Sequence, residues 1–464
     1  MATLATPYSF FPDEIFQYLD VAHRRVFGYG VVTWEQRYGI RSLIFPLLLT
    51  GPMQLGHWLA PNGFGYLYLT KALLALASLT IPWAGYRIGR LISPVHGLFT
   101  AFVLVIWFEF LYFSTQALTE TFALYCFFPA AALLLAPDEP RRHVLVLGGL
   151  LLAMAAILRF QYGPALAVFG IMACGRSLTR WVWVGAGALL AALLSAGVDL
   201  WVGMTPFSWL LANVHHNITL QRSYAWTEPG WYYLRQIVFV LAPWILLQLY
   251  LAWHPARRFP ALAAAALVNL VVHSLVAHKE YRYVLLSTAI IILLAALGTV
   301  DRVYRTRATP PEQKRGFQLA IAFWIVASAL CAVNGTNRWI WSIHRPELLA
   351  FQSLHTDGAA CGVALYGRHW SETGGYSYLH RPLPLYVIDD QKAGPLRAAQ
   401  PAYNIIFAPR HAALDIPAIY KRDRCFAAAN GPGDDICLYR RPGSCAPAVG
   451  ADYEFNAWLK RNDL

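Results

Sequence analysis

The sequence predicts an all-α polytopic membrane protein, with about 10–11 transmembrane helices and a C-terminal α/β domain outside the membrane. The first reason is composition: 57% of the 464 residues are hydrophobic and only 13% are charged, which is unusual for a soluble protein. The second is a succession of apolar stretches of helix length, separated by short basic connections. The third is a change of pattern near residue 336, where short strand-like runs begin.

Apolar stretches that fit membrane spans follow one another between residues 66 and 335. They cover residues 66–88, 97–113, 119–136, 143–158, 162–174, 181–201, 235–253, 260–277, 283–300 and 317–335. Within the mixed segment 1–65, Pro46 and Pro52 interrupt the apolar residues 40–59, which favours an interfacial or re-entrant segment. Residues 1–11 have no basic region followed by an apolar one, so no cleavable signal peptide is expected.

Basic residues predict the orientation of the spans, because cytoplasmic connections are enriched in Lys and Arg. Every second connection carries them: Arg87 and Arg90, Arg141 and Arg142, Arg176 and Arg180, Arg257 and Arg258, and a cluster between 302 and 315. The alternate connections are therefore expected on the outer face, namely residues 1–65, 202–234, 278–282 and the chain after 336. This scattering also accounts for the net charge of +12 and argues against nucleic-acid binding, which needs a single basic stripe.

Residues 336–464 form the predicted extramembrane domain, after the first outer loop (1–65) and the transmembrane bundle (66–335). Strand-like runs at 362–366, 385–388 and 403–407 are separated by turns rich in Gly, Pro and Asp. Four cysteines lie in this domain: Cys361, Cys425, Cys437 and Cys445. An even number on the outer face predicts disulfides, with three pairings open. A zinc site is the alternative, although no C-x-x-C pair is present.

The most polar segment of the apolar region is residues 278–282, His-Lys-Glu-Tyr-Arg. Charged side chains are costly at the bilayer centre, so His278, Lys279, Glu280 and Arg282 must lie at a membrane face or line a wet cavity. The predicted orientation brings further polar residues to the same outer side: Asp13, Glu14, Glu109, Gln116, Glu120, Arg159 and Asp199. We expect both sets to line one outward-facing cavity, in which cations bind a phosphate and a carboxylate accepts a proton.

Each candidate also has a structural interpretation, and the sequence leaves both open. Acidic residues are favoured in the first turn of a helix, cationic residues at the end of a span reach toward water, and buried opposite charges form pairs. The helix-turn interpretation applies to Asp13 and Glu14, and the span-end interpretation to Lys279 and Arg282. The buried-pair interpretation applies to Glu120 with Arg159.

The sequence resembles glycosyltransferase family 22, the mannosyltransferases that use a lipid-phosphate mannose donor. The resemblance rests on short segments in the family's order and on the expected outer side. They are 12–14 (Pro-Asp-Glu), 16–19, 22–24, 28–30 and 33–42 in the first loop, 114–116 and 120–122 in the next outer turn, Asp199 with 207–217, and 278–283, the HKE-x-R signature. In two respects the chain departs from the family: only residues 1–11 precede Pro12, where a spanning helix is usual, and Phe11 replaces a common His.

The resemblance implies a bundle of the C superfamily of integral-membrane glycosyltransferases (GT-C). It implies transfer of mannose from a polyprenyl-phosphate donor to a hydroxyl of a glycan or glycolipid, with inversion to an α-mannoside at the outer face. The partners expected are therefore the lipid-linked donor, the acceptor and membrane lipid, without nucleic acid. Neither a divalent cation nor another cofactor is expected.

The resemblance also implies roles for individual residues. A base must take the proton of the acceptor hydroxyl, and positive charge must hold the departing phosphate. A carboxylate beside Lys and Arg should have a lowered pKa, which suits orientation of those cations better than proton transfer. The expected roles are catalytic base for Asp13, with Glu14 as second choice; donor binding for Lys279 and Arg282, joined by His278 and Arg159; orientation of those cations or hydrogen bonding to sugar hydroxyls of the donor for Glu280; and acceptor-cavity lining for Gln116, Glu120 and Asp199.

Other functions stay open at this stage. A related enzyme with another polyprenyl-phosphate sugar, such as glucose or arabinose, fits the same signature. A lipid or solute transporter fits less well, because the sequence shows no inverted repeat with paired broken helices. A scaffold built around the terminal domain is the third alternative. The disulfide-suited outer domain favours a bacterial inner membrane with a periplasmic site, whereas the sequon at residues 217–219 also allows the lumen of the endoplasmic reticulum.

Overall fold

The computed structural model describes residues 11–136, 141–222, 227–388, 393–429 and 431–464. The expectation about a signal peptide concerns residues 1–11, and residues 1–10 lie outside this part of the chain. The chain divides into two compact units. Unit 1 comprises Met1–Gly39, Phe45–Ala72 and Arg338–Leu464, and unit 2 comprises Ile40–Ile44 and Leu73–Asn337.

Unit 2 is built from helices that follow the predicted apolar stretches. The longer helices are Thr80–Arg90, Pro94–Ile106, Thr119–Leu134, Arg142–Leu158, Gly163–Cys174, Leu178–Trp201, Tyr232–Leu241, Ile245–Arg258, Pro260–Leu275, Leu285–Thr306 and Pro310–Val333, and Gly65–Ser78 runs into the unit from unit 1. Shorter helical segments are Phe108–Phe113, Phe160–Tyr162, Ser208–Val214, His215–Thr219, Tyr281–Val284 and Gly335–Ile340. The predicted helical bundle is therefore confirmed.

By length and composition, four helices of the described chain can cross a membrane: Gly65–Arg90, Leu178–Trp201, Tyr281–Thr306 and Pro310–Val333. Two further spans result if each bent pair counts as one: Arg142–Leu158 with Phe160–Cys174, bent by 119°, and Tyr232–Leu241 with Ile245–Arg258, bent by 103°. The remaining apolar helices are shorter: Pro94–Ile106, Thr119–Leu134 and Pro260–Leu275. The sequence treated both halves of the first bent pair as separate spans, because hydropathy does not reveal the angle between them.

Close helix packing and one central helix hold unit 2 together. A Cβ on Gly187 would lie 2.0 Å from the backbone oxygen of Val146, so Leu178–Trp201 and Arg142–Leu158 pack with their backbones in contact. Small residues permit this approach in membrane proteins, where dispersion between helices replaces the hydrophobic effect. The helix Tyr281–Thr306 is central, because 89% of its most apolar window is buried inside the protein.

Unit 1 contains a five-stranded mixed sheet with the order β2-β1-β3-β5-β4. The strands are β1 (Val363–Tyr366), β2 (Leu385–Ile388), β3 (Ile405–Pro409), β4 (Lys421–Phe426) and β5 (Ile436–Arg440). Strands β2, β1 and β3 are parallel, and β5 is antiparallel to both β3 and β4. The three predicted runs correspond to β1, β2 and β3, which confirms the α/β domain. Strands β4 and β5 were not among the predicted runs; β4 is an exposed, charged edge strand without apolar alternation.

The helical segments of unit 1 come from both ends of the chain. They are Glu14–Leu19, Asp20–Phe27, Trp34–Arg37 and most of Ile44–Leu59 from the first part, and Arg345–Leu354, Trp370–Glu372, Gly375–Leu379, Ala393–Ala398, Gln400–Ala402, Arg410–Leu414, Pro432–Asp434, Pro447–Tyr453 and Phe455–Arg461 from the last. Glu14–Leu19 is a π-helix, and Ile44–Leu59 contains Pro52.

Two disulfide bonds cross-link unit 1. Cys361 is bonded to Cys445, and Cys425 to Cys437, which are cross-strand neighbours on β4 and β5. The expectation of disulfides is thus confirmed, and this is the one pairing of the three that the fold selects.

Asp20 joins the two chain ends within unit 1. Its buried carboxylate accepts hydrogen bonds from the backbone N–H groups of Val31 at 3.0 Å, Tyr376 at 3.2 Å and Ser377 at 2.6 Å. Burial raises the pKa of Asp20 to about 6, although these three hydrogen bonds favour the ionised form. A single carboxylate therefore fixes the first loop to the helix Gly375–Leu379.

Candidate functional site

The segment 276–280 of unit 2 is extended and is held by the long loop before Tyr232–Leu241. His278 forms an isolated antiparallel bridge with Thr227, and the N–H of Glu228 donates to the carbonyl of Ala277 at 3.0 Å. The chain then enters the short helical turn Tyr281–Val284. This change from extended to helical backbone turns successive polar side chains of the signature in different directions.

Glu280 is the centre of the signature. Its carboxylate accepts from Arg282 Nε at 2.9 Å, from Arg282 Nη2 at 2.9 Å and from the hydroxyl of Tyr283 at 2.9 Å, and His278 Nε2 lies 3.2 Å away. Burial raises the pKa of Glu280, but the Arg282 guanidinium and the hydrogen bonds from His278 and Arg282 outweigh it, so the pKa lies well below its usual value. These contacts hold Glu280 against Arg282, Tyr283 and His278, and the orienting role expected for it stays a prediction.

A second carboxylate, Glu120, links Arg282 to Arg159. Glu120 Oε1 lies 3.4 Å from Arg282 Nε and 3.4 Å from Arg159 Nη2, and all three side chains are buried. Both guanidinium groups also lie over the ring of Tyr283, with Cζ-to-centroid distances of 4.6 Å for Arg159 and 5.3 Å for Arg282. The result is a chain of alternating charge, Arg159, Glu120, Arg282 and Glu280, built around one aromatic ring; the first three side chains are buried and Glu280 is half-buried.

The local backbone explains how Arg159 and Glu120 reach this cluster. Arg159 occupies the break between Arg142–Leu158 and Phe160–Tyr162, with φ −138° and ψ 84°, so its side chain leaves the helical direction there. Glu120 lies in the first turn of Thr119–Leu134, where the helix dipole favours a carboxylate. The two residues form the ion pair that the sequence offered as the structural alternative, and the pair lies inside the candidate site.

Lys279 points its ammonium group at backbone carbonyls. Lys279 Nζ donates to the carbonyl of Glu228 at 2.9 Å, to that of Ala277 at 3.5 Å and to that of Val276. Burial lowers the pKa of Lys279. Since an ammonium group has three N–H donors, this arrangement uses Lys279 to hold the extended segment against the long loop.

Two of the expected lining residues keep unsatisfied polar atoms. Gln116 is fully buried, and within the described chain neither its amide nitrogen nor its amide oxygen has a hydrogen-bond partner. Asp199 accepts from the backbone N–H of Phe207 at 2.8 Å through Oδ2, whereas its Oδ1 has no partner among the described residues. Buried polar groups are normally paired, so Gln116 is the stronger candidate for contact with a substrate.

Glu109, another acid expected on the outer side, has both carboxylate oxygens in hydrogen bonds. It accepts from the indole N–H of Trp107 at 2.9 Å and from the hydroxyl of Tyr281 at 2.5 Å. Trp107 lies at the break between the helices Pro94–Ile106 and Phe108–Phe113.

The expected catalytic acids, Asp13 and Glu14, lie in unit 1 and have different surroundings. Glu14 is fully buried and pairs with Lys71, whose Nζ lies 2.9 Å from Glu14 Oε1. Asp13 precedes the π-helix, does not cap it with its side chain, and is partly accessible. Lys71 was not among the predicted site residues, although a lone cation within an apolar stretch was a readable signal.

Metal-binding geometry is missing from the described chain: none of its residues form a group of three or more His, Cys, Asp or Glu arranged to hold an ion. The expectation of no divalent cation stays a prediction, since an ion can also be held by a substrate phosphate.

Comparisons with known proteins bear directly on this arrangement. The family model described as the Alg9-like mannosyltransferase family matches residues 1–380. The GPI alpha-1,2-mannosyltransferase 3 of Danio rerio is 27% identical over 60% of this chain and 53% of its own length. The GPI mannosyltransferase 3 of Yarrowia lipolytica is 27% identical over 83% of this chain and 74% of its own length. The chain spans about half the length of the first curated relatives that it matches.

Solved structures show the same fold. ArnT from Cupriavidus metallidurans bound to undecaprenyl phosphate superposes with a TM-score of 0.63 and 12% identity, covering 96% of both chains. Its apo state gives a TM-score of 0.61 at 12% identity. This likeness confirms the predicted GT-C bundle with a C-terminal extramembrane domain. The family model covers 82% of the chain, residues 1–380 of 464. The chain therefore belongs to the Alg9-like mannosyltransferase family of membrane glycosyltransferases.

Proposed function

We propose that the protein transfers mannose from a polyprenyl-phosphate donor to a hydroxyl of a glycan or glycolipid, at the outer face of the membrane and with inversion to an α-mannoside. Family membership supports the sugar, and the printed names of relatives such as GPI alpha-1,2-mannosyltransferase 3 support an α-mannoside and a glycolipid acceptor. The likeness to a structure that holds undecaprenyl phosphate supports a fold suited to a lipid phosphate.

The observation that carries the proposal is the chain of alternating charge formed by Arg159, Glu120, Arg282 and Glu280 in unit 2. Glu280 and Glu120 hold the two guanidinium groups in fixed positions, so the cations need no reorganisation when negative charge develops on the leaving phosphate. Arginine suits this role because its planar fork matches the oxygens of a phosphate. In this proposal Arg282 and Arg159 bind the donor phosphate, joined by His278.

Other residues of unit 2 support the donor site in the proposal. Lys279 fixes the extended segment that carries His278 and Glu280, through its three carbonyl contacts. Gln116 provides an unsatisfied buried amide that suits a sugar hydroxyl, since an amide both donates and accepts. Asp199 lines the acceptor side through its remaining oxygen.

The chemical step needs a base. The acceptor oxygen attacks the anomeric carbon, its proton passes to a carboxylate, and the bond between that carbon and the phosphate oxygen breaks with its electron pair on the phosphate. We assign the proton to Asp13 because this residue is partly accessible, whereas Glu14 is fully buried. Glu14 stays the second choice.

The site faces outward in this proposal, since every second connection carries the basic residues of a cytoplasmic loop. A bacterial inner membrane with a periplasmic site agrees with the disulfides of unit 1, and the lumen of the endoplasmic reticulum is the alternative. Accessibility of a single introduced Cys at Ser342 and another at Ala308 to an impermeant thiol reagent tests the orientation, on a background with the free cysteines replaced.

One experiment tests the function. Purified protein is incubated with polyprenyl-phosphate mannose, or with the glucose or arabinose equivalent, and extracted membrane glycolipids, and product mass and linkage are measured. We expect an α-mannosyl product, no transfer by Asp13→Asn, and unchanged donor binding in that variant. Transfer of glucose or arabinose alone would show that mannose is not the sugar transferred. Near-normal turnover by Asp13→Asn would show that Asp13 is not the catalytic base. Donor-independent movement of lipid across vesicles would instead indicate a transporter.

A further inference from the structure

Unit 1 contains a small polar cleft with a volume of about 60 Å³. It lies between the start of the helix Arg345–Leu354, the residues after β1, the turn Trp370–Glu372 and the turn Pro432–Asp434. We call it the Arg368 cleft. Its polar lining consists of His344, Glu347, Arg368, Glu372 and Asp434.

Arg368 is surrounded by three carboxylates, none of which it contacts closely. Its nitrogens lie 3.6 Å from Glu347 Oε1, 3.9 Å from Glu372 Oε2 and 3.7 Å from Asp434 Oδ1. The one hydrogen bond that these nitrogens make to the described wall is to the backbone oxygen of Asp434, at 3.4 Å. The charges attract each other, yet at these distances they form no hydrogen bonds to one another, so the guanidinium and the carboxylates keep the capacity to bond a third group.

Two buried polar atoms of the wall lack partners. Glu347 is 2% exposed, and its Oε2 has no hydrogen-bond partner in the described chain. Arg368 Nε is likewise buried and without a hydrogen bond there. Burial raises the pKa of Glu347 to about 7, so near neutral pH this carboxyl group can either donate or accept. An unsatisfied acceptor next to an unsatisfied donor indicates a ligand that supplies both.

The charge of the lining restricts the class of ligand. A phosphate is opposed by Glu372 and Asp434, and an ammonium group is opposed by the guanidinium of Arg368, which lies between the carboxylates. A neutral hydroxyl avoids both conflicts, because it donates to a carboxylate and accepts from a guanidinium at once. The volume of about 60 Å³ is several times the ~10–15 Å³ of cavity that one water molecule needs, so the cleft admits the hydroxyl-bearing edge of a sugar ring.

We propose that the Arg368 cleft binds a saccharide through neighbouring hydroxyl groups held by Arg368 and Glu347. Resting on the proposed transfer to a glycan or glycolipid, we assign this saccharide to the glycan part of the acceptor. The cleft is then an acceptor subsite carried by the extramembrane part of the chain, and it acts on acceptor affinity without touching the donor phosphate.

Direct binding tests the cleft on the full-length protein in detergent micelles, with α-mannobiose as the saccharide probe and with ethanolamine and inorganic phosphate as charged probes. Arg368→Met and Glu347→Gln should each weaken α-mannobiose binding about tenfold, the loss expected for one charge-assisted hydrogen bond. Arg410→Met is the matched control, because Arg410 is more exposed, pairs with Asp435 at 3.5 Å and does not line the cleft. If Arg368→Met fails to fold, the rim variant Glu372→Gln provides the same comparison with a smaller loss.

A transfer assay then separates this proposal from the proposed function. The Michaelis constant for a glycolipid acceptor should rise in the cleft variants, with the donor constant and the turnover number unchanged. If the protein transfers no mannose but binds α-mannobiose, and the variants weaken that binding, the proposed saccharide site would stand and the proposed transfer activity would be wrong. Transfer with unchanged acceptor constants and unchanged α-mannobiose binding in Arg368→Met would overturn the cleft alone. Tighter binding of ethanolamine or phosphate than of α-mannobiose would also overturn it.

Discussion

Arg282 is joined to Glu280 through two nitrogens, with Nε 2.9 Å from Oε2 and Nη2 2.9 Å from Oε1. The two residues are separated by one position, and this parallel pair forms where extended backbone turns into the helical turn Tyr281–Val284. Bidentate contact fixes the plane of the guanidinium as well as its position. The geometry of the pair therefore determines where Arg282 presents its charge.

Glu280→Gln should impair transfer because the neutral amide cannot hold Arg282 in this plane. Loss of a hydrogen bond to a charged group is worth about 1.5–3 kcal/mol, so we expect at least about a tenfold fall in donor affinity or turnover. Tyr283→Phe is the matched control, since it removes a neutral hydrogen bond to the same carboxylate and should cost only about threefold. Steady-state kinetics with varied donor measures both. Equal effects of the two variants would contradict the orienting role of Glu280.

Lys279→Met should lower thermal stability more than donor affinity. The variant removes the ammonium group from three backbone carbonyls; those of Val276 and Glu228 lose this donor, whereas that of Ala277 keeps the N–H of Glu228. An unsatisfied buried acceptor costs about 1–3 kcal/mol, which a melting curve in detergent detects. Donor affinity is measured in parallel. An unchanged melting temperature with a large loss of donor affinity would instead assign Lys279 to the phosphate.

The sequence was sufficient for the helices and for the polar residues of the signature, because hydropathy and isolated charges are local properties. The sequence did not reveal which groups those charged side chains contact. Lys279 and Arg282 read alike in sequence, yet one contacts carbonyl groups and the other contacts carboxylates. Spacing alone cannot distinguish the two side chains, because their partners are distant along the chain. Lys279 depends on the carbonyl of Glu228, and Arg282 on the carboxylate of Glu120.

Long-range pairing also decided the composition of unit 1. The first loop and the last domain were predicted as separate segments, whereas Asp20 bonds to the N–H of Ser377, 357 residues later. Asp20 lies within a helical stretch whose hydropathy gives no hint of this contact. The same limit applies to the disulfides: four cysteines were readable, but their pairing needed the register of β4 against β5.

Lys71→Met should destabilise unit 1, because the variant leaves Glu14 buried without its ammonium partner. Removing one member of a buried ion pair typically costs about 3–5 kcal/mol, far more than an exposed pair is worth. The double variant Lys71→Met with Glu14→Gln should recover much of the loss, since the uncompensated charge is gone. Unfolding in mixed micelles is measured for four proteins: wild type, Lys71→Met, Glu14→Gln and the double variant. Additive losses in the double variant would show that the pair is not coupled.

Asp20→Asn should change both the stability of unit 1 and its dependence on pH. At neutral pH the amide offers only one acceptor oxygen to three backbone N–H groups. A buried N–H group that is left without an acceptor costs about 1–3 kcal/mol of stability.

The pH dependence follows from the pKa of Asp20, which burial raises from 3.8 to about 6. Between these values the unfolded chain has already released the proton that the folded protein still holds, so this group's contribution to stability is fully present below about pH 4. It is lost as the pH rises to about 6, by about 3 kcal/mol in total, and is constant above that. Asp20→Asn cannot titrate and should lack this fall. The measurement is the difference in unfolding free energy between wild type and variant from pH 4 to pH 7, which cancels the contributions of other titrating groups. A difference that does not change with pH in this window would mean that Asp20 is ionised throughout.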